Sequence, residues 1–200
     1  MIRKSLFALV ISSLIAIWGC NPTILEPYDP AARKARDIQA ILETIAEKGW
    51  PAPDTTESGA RYIIFDESAD SAIATPQVED IVAFDYIGFS LSGSVFDTSI
   101  PEVADTAFTS TGSLTFEPVV YTFSESGWTL RYVPLVSQYL FSNSPSTAFQ
   151  EAVSVTFGQM NVGDRTAIFL PSTETGTITR SRENASPLYF ELTLVDITSN

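Results

Sequence analysis

The stretch DIVAFDYIGF, residues 80–89, decides the fold class. Val82, Phe84 and Tyr86 fall on one face at the period of two that a β-strand imposes, with Ala83, Asp85 and Ile87 on the other. Ser92-Gly93 then supplies a turn and Ser94-Val95-Phe96 returns, which predicts a hairpin. Residues 188–197, LYFELTLVDI, alternate most clearly of all, with Leu188, Phe190, Leu192 and Leu194 on a single face. Further β runs cover residues 62–65, 119–123 and 165–170, the last ended by Pro171. Residues 148–155 read instead as a short helix, because Phe149, Ala152, Val153 and Thr156 lie near one face at helical spacing. Consecutive β runs giving five strands, with one short helix, imply an antiparallel α+β domain with the helix laid across one sheet face.

Toward the N-terminus, residues 51–58 form a linker rich in Pro, Thr and acids. Before it, Asp29-Pro30 has the form of an N-cap and first-turn proline. Ile38, Ile41, Leu42 and Ile45 share one face of the helix that follows, and Gly49 reads as its stop. Three roles stay open for this helix: packing on the domain, spacing it from an anchor, or serving as a dimer handle.

The first twenty residues, MIRKSLFALVISSLIAIWGC, begin with two cations and continue in an apolar run too short for a stable bilayer span. This predicts a signal peptide over residues 1–19. Gly19 precedes Cys20, the only cysteine, which is the arrangement a lipoprotein signal peptidase cuts before lipid is attached to the sulfur. Trp18 is larger than such sites usually carry; an ordinary signal peptide or N-terminal anchor with a chance cysteine is the alternative. The expected organisation is a leader (1–19), a lipidated tether and helix (20–57), and a domain (58–200) with an insertion at about 100–147. The expected location is the cell envelope, lipid-anchored through Cys20, facing the periplasm or at the outer membrane.

Composition removes several function classes. The chain has 24 acidic against 11 basic residues and a net charge of −13, so it will not seek nucleic-acid phosphates by charge. It contains no histidine, which rules out Ser-His-Asp and Cys-His catalysis and His-ligated zinc. With one cysteine it forms no internal disulfide, and no glycine-rich phosphate loop is visible. No metal and no cofactor is expected.

Several short motifs occur in a telling order: Ser58-Gly59-Ala60-Arg61-Tyr62-Ile63-Ile64, the run from Glu79 to Gly88, and Gly93-Ser94-Val95-Phe96-Asp97-Thr98-Ser99. Gln159-Met160-Asn161-Val162-Gly163-Asp164-Arg165 and Pro187-Leu188-Tyr189-Phe190-Glu191-Leu192 follow. Over about residues 58–198 this resembles the FKBP-type peptidyl-prolyl cis-trans isomerases, and most of all the lipoprotein members of Bacteroidetes-like envelopes. The resemblance implies an antiparallel sheet wrapped around the short helix, and an isomerase that assists protein folding in the envelope. Its partners would be proline-containing polypeptide clients and, through Cys20, a membrane.

The implied chemistry suits a chain without histidine. Rotation about an X-Pro bond needs no nucleophile and no proton shuttle; its barrier is amide resonance, roughly 18–20 kcal/mol. The twisted amide is less polar than the planar one, so an apolar aromatic pocket that excludes water favours it. The resemblance puts Tyr86, Phe96, Asp97 and Phe190 in that pocket, with Tyr121 and Phe123 on the middle strand as further substrate contacts. Asp97 would orient a neighbouring group or bias the field at the amide. Read without the family, Asp97 is a turn acid and the aromatics are core.

Three departures from the family pattern stand out. The pocket floor, usually a large aromatic on the short helix, falls on Val153 by direct count or on Phe149 with a local shift. The loop after the following strand has Thr175 where a substrate-binding tyrosine is usual. About fifty residues separate Ser99 from Phe149, longer than usual. Within them residues 101–115 read as a Ser/Thr-rich loop. Residues 128–141, WTLRYVPLVSQYLF, read as a client-capturing flap or as extra structure packed on the domain; the second is preferred because an exposed apolar segment invites aggregation. Two other functions remain in view: a non-catalytic FKBP-like binding module, and a structural envelope lipoprotein.

Overall fold

The computed structural model describes residues 28–67, 75–109, 116–124, 127–132, 146–175 and 186–199. The leader, Cys20, and residues 133–141 of the apolar stretch lie outside the described residues.

The first helix, α1 (Pro30–Glu47), starts as its sequence dictates. The Asp29 carboxylate accepts the N–H of Ala31 at 2.9 Å and of Ala32 at 3.2 Å, and Pro30 occupies a first-turn position where no N–H is needed. The chain leaves the helix through Gly49, whose φ of 68° suits a residue without Cβ. The buried line along α1 is Asp37, Ile41 and Ile45; Leu42 is exposed. The expected apolar face is therefore narrower than the pattern implied, because a carboxylate occupies part of the contact surface.

The strands are β1 (Asp54–Thr55), β2 (Arg61–Phe65), β3 (Ile81–Ser90), β4 (Val95–Thr98), β5 (Val119–Ser124), β6 (Gly127–Tyr132), β7 (Arg165–Leu170) and β8 (Leu188–Thr198). Two more helices, α2 (Pro101–Ala107) and α3 (Thr147–Phe157), complete the described elements. The α+β class is as expected, but the count of five strands and one short helix is too low. The two-residue β1 gives no periodic signal, and β6 is the start of the apolar stretch. Residues 101–107 form a helix rather than a loop: Pro101 and Glu102 make a favourable first turn, and Ala104 is buried beneath it.

All strand pairings are antiparallel, in the order β1-β2-β7-β8-β3-β5-β6, with β4 pairing β3 beside β5. One face packs on α3. Phe149, Ala152, Val153 and Phe157 join Val82, Phe84, Tyr86, Tyr121, Ile168, Phe190, Leu192 and Leu194 in a single buried cluster. The opposite face packs on α1: Ile41 and Ile45 meet Ile63, Ala167, Phe169 and Tyr189, with Trp50, Phe65 and Phe89 at the margin. Of the three roles left open for the N-terminal helix, packing on the domain is the one observed. Burying Ile41 and Ile45 contributes about 1.5–3 kcal/mol each.

Candidate functional site

The site candidates sit where β8, β3 and β4 run side by side. Gly88 of β3 faces Phe190 of β8 on one side and Asp97 of β4 on the other. The β3–β4 register shifts between Gly88 and Phe89: Gly88 pairs Asp97, Phe89 pairs Val95, and Phe96 is left as the extra residue of a bulge. In a regular strand Phe96 and Asp97 would point to opposite faces. The bulge re-aims one of them, and both side chains reach the α3 face.

Gly88 makes that arrangement possible. A Cβ there would lie 2.8 Å from the Phe96 ring and 3.0 Å from the Phe190 ring, closer than either ring can approach a methyl. In the space left, Phe96 meets Phe190 edge-on with ring centroids 5.6 Å apart, and Phe190 meets Phe149 of α3 at 5.1 Å. Such pairs add about 0.5–1.5 kcal/mol beyond burial. The row runs from a rim into the core: Phe96 is 37% exposed, whereas Phe149 is 2% and Phe190 0% exposed. Phe149 is set by the start of its helix, where the Ser146 hydroxyl accepts the Phe149 N–H at 3.1 Å.

Asp97 is the buried acid of the site. Burial pushes its carboxyl up to about 7, against the opposing pull of the Tyr86 hydroxyl and the Thr98 N–H, which donates at 2.9 Å. Tyr86 is itself held by its backbone. Its N–H donates to the Ser99 hydroxyl at 2.9 Å, and its carbonyl accepts the Thr98 hydroxyl at 2.9 Å and the Ser99 N–H at 3.0 Å. The Ser99 hydroxyl in turn donates a hydrogen bond to the Asp85 carboxylate at 2.8 Å. Residues 96–99 thus supply a ring, an acid and two hydroxyl clamps in succession.

The other candidates are distributed as follows. Val153 is buried in the same cluster as Phe149, so both alternatives for the floor lie on the inward face of α3. Tyr121 is also in that cluster, but it pairs with Val82 and its ring packs on Phe84 at 5.6 Å, toward the other end of β3. Burial raises its hydroxyl pKa. The Phe123 side chain lies outside the described residues. Thr175 is fully buried and its hydroxyl donates to the Ser172 carbonyl at 2.9 Å, closing its own turn. An open groove of about 540 Å³ lies elsewhere, between β4 and α2, lined by Val95, Glu102, Val103 and Thr106 among others. It includes none of Tyr86, Asp97 or Phe190.

Gly88, Thr98 and Ser99 had no role assigned from sequence. An isolated glycine inside a strong strand pattern is the available signal for the first, since it marks a bulge or a close approach. Two hydroxyls directly after Phe96-Asp97 are a weaker hint for the others. Among the described residues no cluster of three or more acids or cysteines is placed to hold a metal ion.

No protein-family model matches the chain, and no curated protein matches it. Among solved structures it is similar to a peptidyl-prolyl cis-trans isomerase from Pseudomonas syringae pv. tomato, at 16% identity and a TM-score of 0.43, over 86% of this chain and 98% of that one. It is also similar to FkpA from Escherichia coli, at 12% identity and a TM-score of 0.40, over 99% of this chain and 72% of that one.

Proposed function

We propose that this chain is an FKBP-type peptidyl-prolyl isomerase, lipid-anchored through Cys20, that assists protein folding in the cell envelope. The reading rests on the order of the family-like motifs and on one structural observation. A bulge at Phe96 turns Phe96 and Asp97 to the same face as Tyr86, Phe149 and Phe190. That face offers an X-Pro bond aromatic edges, almost no water and one carboxyl that is neutral at mildly acidic pH. Such surroundings disfavour the polar planar amide relative to its twisted form. Lowering the barrier by about 4 kcal/mol accelerates rotation roughly a thousandfold.

Phe96 is the exposed member through which a proline ring would enter. Asp97 fixes the Tyr86 hydroxyl, and Phe149 and Phe190 back the ring. The test is isomerisation of a short Leu-Pro peptide by a soluble form starting at Asn21. Acceleration that falls in Phe96→Ala and Asp97→Leu supports the reading, and a folded wild type that gives none refutes it. Attachment is tested separately: labelling with radioactive palmitate should vanish in Cys20→Ala.

A second reading is a binding module without catalysis. It is favoured by the tight packing of Tyr86, Phe149 and Phe190, each at most 2% exposed, and by the Thr175 hydroxyl being spent within its own turn. It predicts peptide binding without rate enhancement.

A further inference from the structure

We propose that the groove between β4 and α2 holds a basic side chain of the same polypeptide whose proline lies at the aromatic site. The place of the proline rests on the isomerase reading; the groove is a separate surface with its own chemistry.

At about 540 Å³ the groove has a volume ordinary for a cleft that holds a ligand group. Val95 of β4 and Val103 and Ala107 of α2 give it apolar walls, and Ser94 and Thr106 add hydroxyls. Among the described residues lining it, Glu102 alone is charged. Glu102 and Thr106, and likewise Val103 and Ala107, are four residues apart, so the α2 wall is one continuous helix face. Ala104 turns the other way and is fully buried, which holds that face outward. An apolar trough with one carboxylate suits lysine or arginine: the methylene stem lies along hydrocarbon while the head stays in water beside the acid. An acidic side chain would meet Glu102 as a like charge. The net charge of −13 favours the approach of a basic segment as well.

The groove adjoins the aromatic row through β4 itself. Val95 lines the groove, and Phe96, next in sequence, is the exposed ring of the site. Their Cα atoms are about 3.8 Å apart. The bulge sends Phe96 to the α3 face, while Val95 pairs with Phe89, whose ring packs on the α1 face. The two surfaces therefore meet across the β4 edge, and among the described residues β4 pairs with β3 alone. An extended chain advances about 3.3 Å per residue, so a side chain two or three residues from the proline reaches over that edge. The joint between groove and site is firm. The Thr98 hydroxyl donates to the Tyr86 carbonyl and accepts the N–H of Ile100 at 3.1 Å, and α2 starts from Ile100.

The experiment measures Kd by fluorescence anisotropy for fluorescein-labelled Leu-Pro peptides. Each carries lysine, or norleucine in its place, at the second or third residue on either side of the proline. Wild type, Glu102→Gln, Thr106→Lys and Phe96→Ala are compared in the form starting at Asn21, which contains every described residue. At one position lysine should bind about threefold tighter than norleucine in about 0.05 M salt, and the advantage should shrink in about 0.3 M salt. Glu102→Gln should bring that ratio to one, and Thr106→Lys should reverse it. Both residues are exposed, and should either variant fail to fold, the other decides. Phe96→Ala should weaken both peptides by the same factor and keep the ratio. A ratio of one at every position in the wild type overturns the proposal. So does a lysine preference that survives Glu102→Gln, because other acids then supply the attraction. A lysine peptide indifferent to Phe96→Ala overturns the claim that one chain spans both surfaces. A Glu102-dependent preference without isomerisation keeps the groove and removes the isomerase reading; isomerisation with a ratio of one does the reverse. No peptide binding by the wild type overturns both.

Discussion

Replacing Asp97 by Asn should change how stability depends on pH, by an amount the site itself sets. The carboxyl ionises near pH 4 in an unfolded chain and near 7 in the folded protein, because burial outweighs the Tyr86 and Thr98 hydrogen bonds. Between those values the folded state keeps a proton that the unfolded state has released. The unfolded state binds fewer protons there, so stability falls as pH rises. The favourable contribution is complete below about pH 4 and is lost as pH passes 7. Three pH units at 1.36 kcal/mol each give about 4 kcal/mol in all, of which about 2–3 kcal/mol falls between pH 5 and pH 8. Asn has nearly the same shape, its carbonyl oxygen can accept the Thr98 N–H, and it does not titrate. Urea unfolding at pH 5 and pH 8 measures the effect. The other acids impose their own pH trend on both proteins, so the quantity of interest is the difference between them. With an m-value of about 2 kcal/mol/M, the wild-type midpoint should fall by about 1 M more than that of Asp97→Asn. A difference that stays constant within about 0.5 kcal/mol across this range would refute the reasoning, and would mean that water or an unrecognised partner reaches the carboxyl.

Three other outcomes are expected. Gly88→Ala places a methyl 2.8 Å from the Phe96 ring and 3.0 Å from the Phe190 ring, so it should cost about 1–3 kcal/mol, read as a lower Tm, and separate the two rings. Phe96→Ala should cost about 2 kcal/mol on thermal denaturation, less than a fully buried phenylalanine would, since the ring is already 37% exposed, while peptide affinity drops by a larger factor. Ser99→Ala leaves the buried Tyr86 N–H without its acceptor and should destabilise by about 1–3 kcal/mol in urea; a neutral effect would mean that water replaces the hydroxyl.

Strand positions were legible wherever one physical signal dominated. Residues 165–170 match β7 residue for residue, and β3 and β8 end within one residue of the alternating runs. Along β3 the buried set Val82, Phe84 and Tyr86 follows from alternation alone. In β8, Tyr189 and Phe190 are adjacent and both buried, because each sheet face carries a helix. Alternation predicts only one of the two, and the other becomes intelligible once α1 is known to pack. What made α1 pack was not legible: the Asp37–Ser172 bonds join residues 135 apart in sequence, and no local pattern encodes such a meeting. The bulge was hidden for a related reason. A hydrophobic pattern is blind to one extra residue in a four-residue strand, so it could name Phe96 and Asp97 but not say that they share a face.

That shared face bears on how such a site could work. A catalyst acting through desolvation has no bond-making group to compensate for looseness, so its pocket must hold shape when water would otherwise enter. Here the wall of the site is a sheet pinned from both sides, with α3 behind Phe190 and α1 behind Tyr189, its sequence neighbour. The stacked pairs Phe89–Tyr189 and Phe169–Tyr189, at 4.7 and 5.1 Å, stiffen the outer face directly behind the Phe96–Phe190–Phe149 row. Packing on the outer face therefore limits motion of the inner one, because β8 cannot shift without disturbing both layers. The N-terminal helix is then more than a spacer: through Ile41 and Ile45 it packs on Tyr189 and backs the strand that carries Phe190.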